Sequence, residues 1–266
     1  GGAIGVNGET NIESSSFDGN YSNVSGGAII ANDTNGLKIN NSAFANNKAD
    51  VNGGAIASGW DVNQNGDSLA EALADLYTPD KIEITDTDFA NNSAGKYGGA
   101  IYYSNGNKDT TKNPSLTIKA KNQDVVFTNN KAEKGGDIYL NNSTANLNAS
   151  NGKQIVFNSG VAGNGTINTK GTIVFNSEIT PDNGNLLVNA DENSTIRASV
   201  DKYINGIDLT LADGATLDLI NGTIGTAKIN NLTSNGGNIK IDMDLSRDDQ
   251  IADLATISNA TGTLNI

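Results

Sequence analysis

The tetrapeptide Gly-Gly-Ala-Ile occurs unchanged at 1–4, 26–29, 53–56 and 98–101, and returns as Gly135-Gly136-Asp137-Ile138. A second unit precedes four of these copies: Phe17-Asp18-Gly19-Asn20, Phe44-Ala45-Asn46-Asn47, Phe89-Ala90-Asn91-Asn92 and Phe127-Thr128-Asn129-Asn130. From Phe to the first Gly is nine residues in three cases and eight in the last. Self-similarity at such intervals means a stack of like units, each burying its apolar face against its neighbours.

The units read as turns of a β-coil. Leu37-Lys38-Ile39-Asn40 and Ile82-Glu83-Ile84-Thr85 alternate apolar and polar side chains, the period of a strand with one buried face. Gly pairs permit the positive φ of a tight corner, and Asn tolerates left-handed backbone. With one repeat per coil, equal positions stack about 4.8 Å apart. Phe17, Phe44, Phe89 and Phe127 then form an interior column, and Asn20, Asn47, Asn92 and Asn130 a hydrogen-bonded ladder at a corner. Helical repeats, a β-sandwich and a propeller each lack this pattern. The expected fold is all-β: a right-handed parallel β-solenoid over 1–266, with a change of repeat style near 140. A coil of about 22 residues gives roughly twelve coils and about 60 Å. A two-domain reading would divide the chain at 141–144.

Composition agrees with a thin core. Only 36% of residues are hydrophobic and 5% aromatic, too few for a thick globular interior at this length. Charged residues are 18%, less than a disordered chain usually carries. The net charge of −13 argues against nucleic acid and anionic membrane surfaces and for solubility. There is no Cys, which suits export unfolded through an oxidising compartment. No apolar run is long enough to span a membrane, so no membrane insertion by this stretch is expected. The start within a repeat reads as a piece of a longer protein.

The pairing of Gly-Gly-Ala-Ile with Phe-x-x-Asn over about 1–140 resembles the polymorphic outer membrane proteins. The resemblance implies a β-helical autotransporter passenger, a cell-surface location, a membrane barrel elsewhere and an adhesive role. The motifs themselves are structural, and no binding residue carries over with them. After about 140 shorter strands follow, as in Gln154-Ile155-Val156-Phe157-Asn158 and Thr172-Ile173-Val174-Phe175-Asn176. The closing stretch from Gly237 resembles the C-terminal end of autotransporter passengers generally.

Solenoids carry function on projecting loops. The third and fourth Gly-Gly-Ala-Ile copies are 45 residues apart against 27 for the second and third, and the excess falls at 58–80. Ser68-Leu69-Ala70-Glu71 is a capping box, and Leu69, Ala72, Leu73, Leu76 and Tyr77 follow at helical spacing until Thr78-Pro79. A short helix near 68–77 is expected. It either covers an apolar patch with Trp60 or forms a contact surface of Trp60, Leu69, Leu73, Leu76 and Tyr77. A second, polar insertion lies at 104–114.

Catalysis has little footing. There is no His and no Cys. Carboxylate pairs of the kind β-helical polysaccharide enzymes use are Asp86 with Asp88, Asp242 with Asp244, and Asp248 with Asp249. The first two pairs would share a strand face. Only two Arg, Arg197 and Arg247, are available to hold acidic sugars. No cofactor or metal loop is present. Asn-x-Ser/Thr triplets such as Asn23-Val24-Ser25, Asn32-Asp33-Thr34, Asn221-Gly222-Thr223 and Asn231-Leu232-Thr233 follow from composition and are not read as glycan sites. The expected function is adhesion to a host or bacterial cell-surface protein or glycan; open ends and flat flanks leave room for self-association, which the sequence does not decide. The rivals are a display stalk and a polysaccharide-active enzyme.

Overall fold

The computed structural model describes residues 1–32, 36–58, 81–104, 114–244, 246 and 252–266. The expected helix near 68–77 lies outside these residues. The one helical element among them is a 3-10 turn, Asp201–Tyr203.

Among the described residues the strands build one parallel sheet of 22 strands that winds as a solenoid, with a small parallel sheet of Tyr21–Ser22, Lys48–Ala49 and Ser93–Ala94 at one corner. The strand after each Gly-Gly unit pairs with its equivalent one coil on: Ile4 with Ile29, Ile29 with Ile56, Ile56 with Ile101 and Ile101 with Ile138. The second strand stacks Ile12, Ile39, Ile84, Ile118 and Leu147. Ten levels stack along this column, from Thr10–Glu13 to Leu254–Asn265, or about 45 Å at ordinary strand spacing. The early coils are longer than the average coil on which a count of about twelve rests.

All six Phe form one interior column. Ring centroids lie 4.7, 5.1, 4.8, 5.0 and 5.5 Å apart along Phe17, Phe44, Phe89, Phe127, Phe157 and Phe175. The column crosses the change of repeat style near 140. There the strand Ile138–Ala149 runs through 141–144 and joins two sheet faces that separate strands supply in earlier coils.

The two residues that close Phe-x-x-Asn do different work. The third takes left-handed backbone in every copy: Gly19, Asn46, Asn91 and Asn129, with φ of 67°, 56°, 56° and 53°. That sharp corner turns the fourth residue inward. Asn20 Nδ2 then donates to Asn47 Oδ1 (2.8 Å), Asn47 Nδ2 to Asn92 Oδ1 (2.9 Å) and Asn92 Nδ2 to Asn130 Oδ1 (3.0 Å). Each acceptor oxygen also takes the backbone N–H of the preceding Asn. The second hydrogen of each inner amide goes to a Phe carbonyl one coil back. Asn47 and Asn92 are fully buried, and these bonds offset their desolvation.

The two glycines also divide their labour. The first has positive φ, as at Gly53 (61°). The second is needed for closeness: a Cβ on Gly54 would overlap the carbonyl oxygen of Gly99, and one on Gly99 that of Gly136.

Candidate functional site

A ledge forms where the coil shortens after the last Gly-Gly unit. In the strand that follows Gly-Gly, the residue after the Ile points away from the Phe column. That position is Ile30, Ala57, Tyr102, Tyr139 and Ala162 along the stack, and these side chains make a second small apolar cluster. Tyr97 lies over it, with ring centroids 4.4 Å from Tyr139 and 6.4 Å from Tyr102. Tyr102 and Tyr139 are almost fully covered, while Tyr97 is half-buried.

The ledge has a polar rim. Lys134 Nζ donates to Asp182 Oδ1 at 2.7 Å, and the Tyr139 hydroxyl donates to Asp182 Oδ2 at 2.8 Å. Burial pushes the Asp182 carboxyl up, but these two bonds outweigh it and hold its pKa below the usual carboxylate range. The same carboxylate raises Lys134, chiefly through the hydrogen bond. Burial, then the bond to Asp182, raises the Tyr139 hydroxyl. Beside the rim lies a cleft of about 330 Å³, lined among others by Glu133, Lys134, Ser159, Ser177, Glu178 and Asp182. Carboxylates, hydroxyls and one ammonium line this cleft, a composition that suits contact with a polar surface group.

A second cleft of about 370 Å³ lies on another face, beside an outward amide column. There Asn168 Nδ2 donates to Asn146 Oδ1 (2.9 Å) and Asn189 Nδ2 to Asn168 Oδ1 (3.0 Å).

Trp60, Leu69, Leu73, Leu76 and Tyr77 lie outside the described residues. The Asp86–Asp88 pair does not sit as expected. Asp86 takes left-handed backbone, φ 49°, so it forms a corner between the strands Lys81–Thr85 and Asp88–Ala90, and the alternation that would align it with Asp88 is broken. Its carboxylate accepts the backbone N–H of Lys121 (2.7 Å) and Asn122 (3.0 Å). Burial raises it, yet these bonds prevail and its pKa is lowered. Asp88 accepts the N–H of Val126 at 2.8 Å, but burial dominates and raises it. Asp242 follows the strand Thr226–Lys240 and accepts the N–H groups of Asn221 and Gly222. Asp248 and Asp249 lie outside the described residues. Among the described residues no three acidic side chains converge to hold a metal ion.

The sequence reading missed Tyr97, Tyr102, Tyr139, Lys134 and Asp182. A signal existed for four of them. Tyr102 and Tyr139 occupy one repeat position, directly after the Ile, and Tyr97 and Lys134 occupy another, directly before the Gly pair. Asp182 lies beyond the repeats, and nothing in the chain order marks it.

The segments 41–59 and 86–104 match the repeat of the Chlamydia polymorphic membrane proteins. Each runs from the corner before Phe-Ala-Asn-Asn through Gly-Gly-Ala-Ile. Both segments are similar to that family's repeat. The two matched segments thus supply the αL corner, the ladder Asn, the stacked Phe and the close-packed Gly pair described above, and the second of them carries Tyr97 and Tyr102 of the ledge. No match was found among curated proteins or among solved structures. No described helix is long and apolar enough to cross a membrane.

Proposed function

We propose that this chain is a surface-exposed autotransporter passenger that acts as an adhesin for molecules on host or neighbouring cells. The observation that carries the reading is the polymorphic membrane protein repeat, found twice in a parallel solenoid. A repeat of a membrane-protein family supports placement at an outer surface. The half-exposed ring of Tyr97 beside the polar rim of Lys134 and Asp182 supports contact there, since aromatic anchors with a polar rim dominate binding surfaces.

The test is binding of the folded chain to cultured host cells, to bacteria and to immobilised glycans, with a Tyr97→Ala/Asp182→Ala variant in parallel. Saturable binding, weakened about tenfold or more in the variant, supports an adhesin with its site at the ledge. Saturable binding unaltered by the variant moves the site elsewhere, with deletion of 58–80 as the next arm. Absence of saturable binding by a β-rich, monodisperse chain ends the adhesin reading in favour of a stalk. The continuous Phe column and Asn ladder, which stiffen the solenoid, favour that second reading.

A further inference from the structure

Asn-Gly occurs eleven times in this chain. The pair is chemically labile wherever the Gly nitrogen is free to reach the Asn side chain, because Gly puts no side chain in the way. Four pairs among the described residues show how the fold separates protected from open.

Asn52 is buried, and the Gly53 N–H donates to the Tyr97 carbonyl at 2.9 Å. Asn221 Nδ2 donates to Asp201 Oδ1 and to the Leu219 carbonyl, and the Gly222 N–H is held by Asp242 Oδ2 at 2.7 Å. Asn164 has both ends of its amide bound, to Asn142 and Asn183. Asn151 is different. It is exposed at the tip of a turn closed by the Lys153 N–H and the Ser150 carbonyl (2.9 Å). Gly152 has φ 73°, and a Cβ there would meet nothing within 4 Å. Among the described residues neither the Asn151 amide nor the Gly152 N–H has a hydrogen-bond partner.

We propose that Asn151–Gly152 is a self-modification site at which the folded protein converts its own asparagine to aspartate and isoaspartate. The Gly152 nitrogen attacks Asn151 Cγ. A C–N bond forms, the Cγ–Nδ2 bond breaks, and the side-chain nitrogen leaves as ammonia, carrying the proton lost by Gly152. Water then opens the succinimide at either carbonyl. The net change is amide plus water to acid plus ammonia, with no redox partner. The product adds a negative charge and, as isoaspartate, one extra backbone atom in the turn between the strands Ile138–Ala149 and Gln154–Phe157.

The experiment is a time course of the full chain in mildly alkaline buffer, folded and in denaturant, read by peptide mapping for the acid and iso-acid products. In denaturant Asn52, Asn151 and Asn221 react at similar rates. In the folded protein Asn151 keeps its rate, while Asn52 and Asn221 slow by about tenfold or more, since they react only through local opening. An Asn151→Gln variant abolishes the fast product. Suppression of Asn151 to the level of Asn52 in the folded protein overturns the proposal, as does a fast product in the peptide containing residue 151 that survives in the Gln variant.

Discussion

Asn130 Nδ2 donates to Asp137 Oδ1 at 2.9 Å, and this bond closes the buried amide ladder. Asn20, Asn47 and Asn92 each pass a hydrogen to the Asn one coil on, but no Asn stacks beyond Asn130. Its backbone N–H goes instead to Ser159 Oγ, and Asp137 Oδ2 accepts the Ser159 N–H at 2.7 Å. The single departure from Gly-Gly-Ala-Ile, Asp for Ala, is thus the ladder's terminator.

The terminator makes stability depend on acidity. Burial pushes Asp137 up to about 6. The folded state therefore holds a proton that the unfolded chain, with an ordinary carboxyl, has already lost between about pH 4 and pH 6. Stability falls as pH rises through this window and levels off above it. Asp201, raised by burial and by Asp253 beside it, acts in the same sense. Asp86 and Asp182, lowered by their partners, lose their contribution only under more acidic conditions. Denaturant titrations are expected to show a chain more stable at about pH 4.5 than at about pH 7, with Asp137 contributing on the order of 2 kcal/mol. Asp137→Ala flattens the profile; an unchanged slope in that variant would show that Asp137 is not its source.

Ladder position sets the cost of breaking the ladder. Asn92→Ala strands the Asn47 backbone N–H and one hydrogen of the Asn47 amide, takes the side-chain donor from the Phe44 carbonyl, and leaves the Asn130 oxygen with the residue-92 backbone N–H alone, all in a dry interior. It is expected to lower the unfolding free energy by about 3 kcal/mol, and Asn20→Ala, at the partly exposed end, by about 1 kcal/mol. Chemical denaturation of the two variants checks the order.

The second glycine of a pair tolerates no side chain. Gly99→Ala sets a methyl group against the Gly136 carbonyl and the Lys131 backbone, so two coils must part. A loss of about 4 kcal/mol or more is expected. At Gly19, where a Cβ meets nothing within 4 Å, Ala meets only the left-handed backbone penalty of about 1 kcal/mol. Equal thermal shifts for the two would contradict the close-packing account.

At the ledge, Asp182 satisfies a buried hydroxyl. Asp182→Ala removes the acceptor of the Tyr139 O–H, which is nearly inaccessible to water, and frees Lys134. A loss of about 1–3 kcal/mol is expected, and Tyr139→Phe in the same background restores most of it by removing the stranded donor. A double-mutant cycle measures this coupling directly.

The sequence by itself determined the coil, its corners and its interior columns. Those features are local: a period of two selects the inward side chains, a Gly or Asn takes the αL corner before each ladder Asn, and identical units stack their like residues. Phe157 and Phe175 extend the column beyond the repeat because Val-Phe-Asn keeps the same strand phase. Only the tertiary structure decided which Gly must be bare, why Asp137 replaces Ala, that Asp86 caps another coil's backbone and that Asp182 reaches Lys134 and Tyr139. Each depends on what a neighbouring coil presents. The partners of Asp182 lie 48 and 43 residues away along the chain, yet within hydrogen-bond distance. Coil lengths of unequal size set that juxtaposition, and no motif in the chain order encodes it.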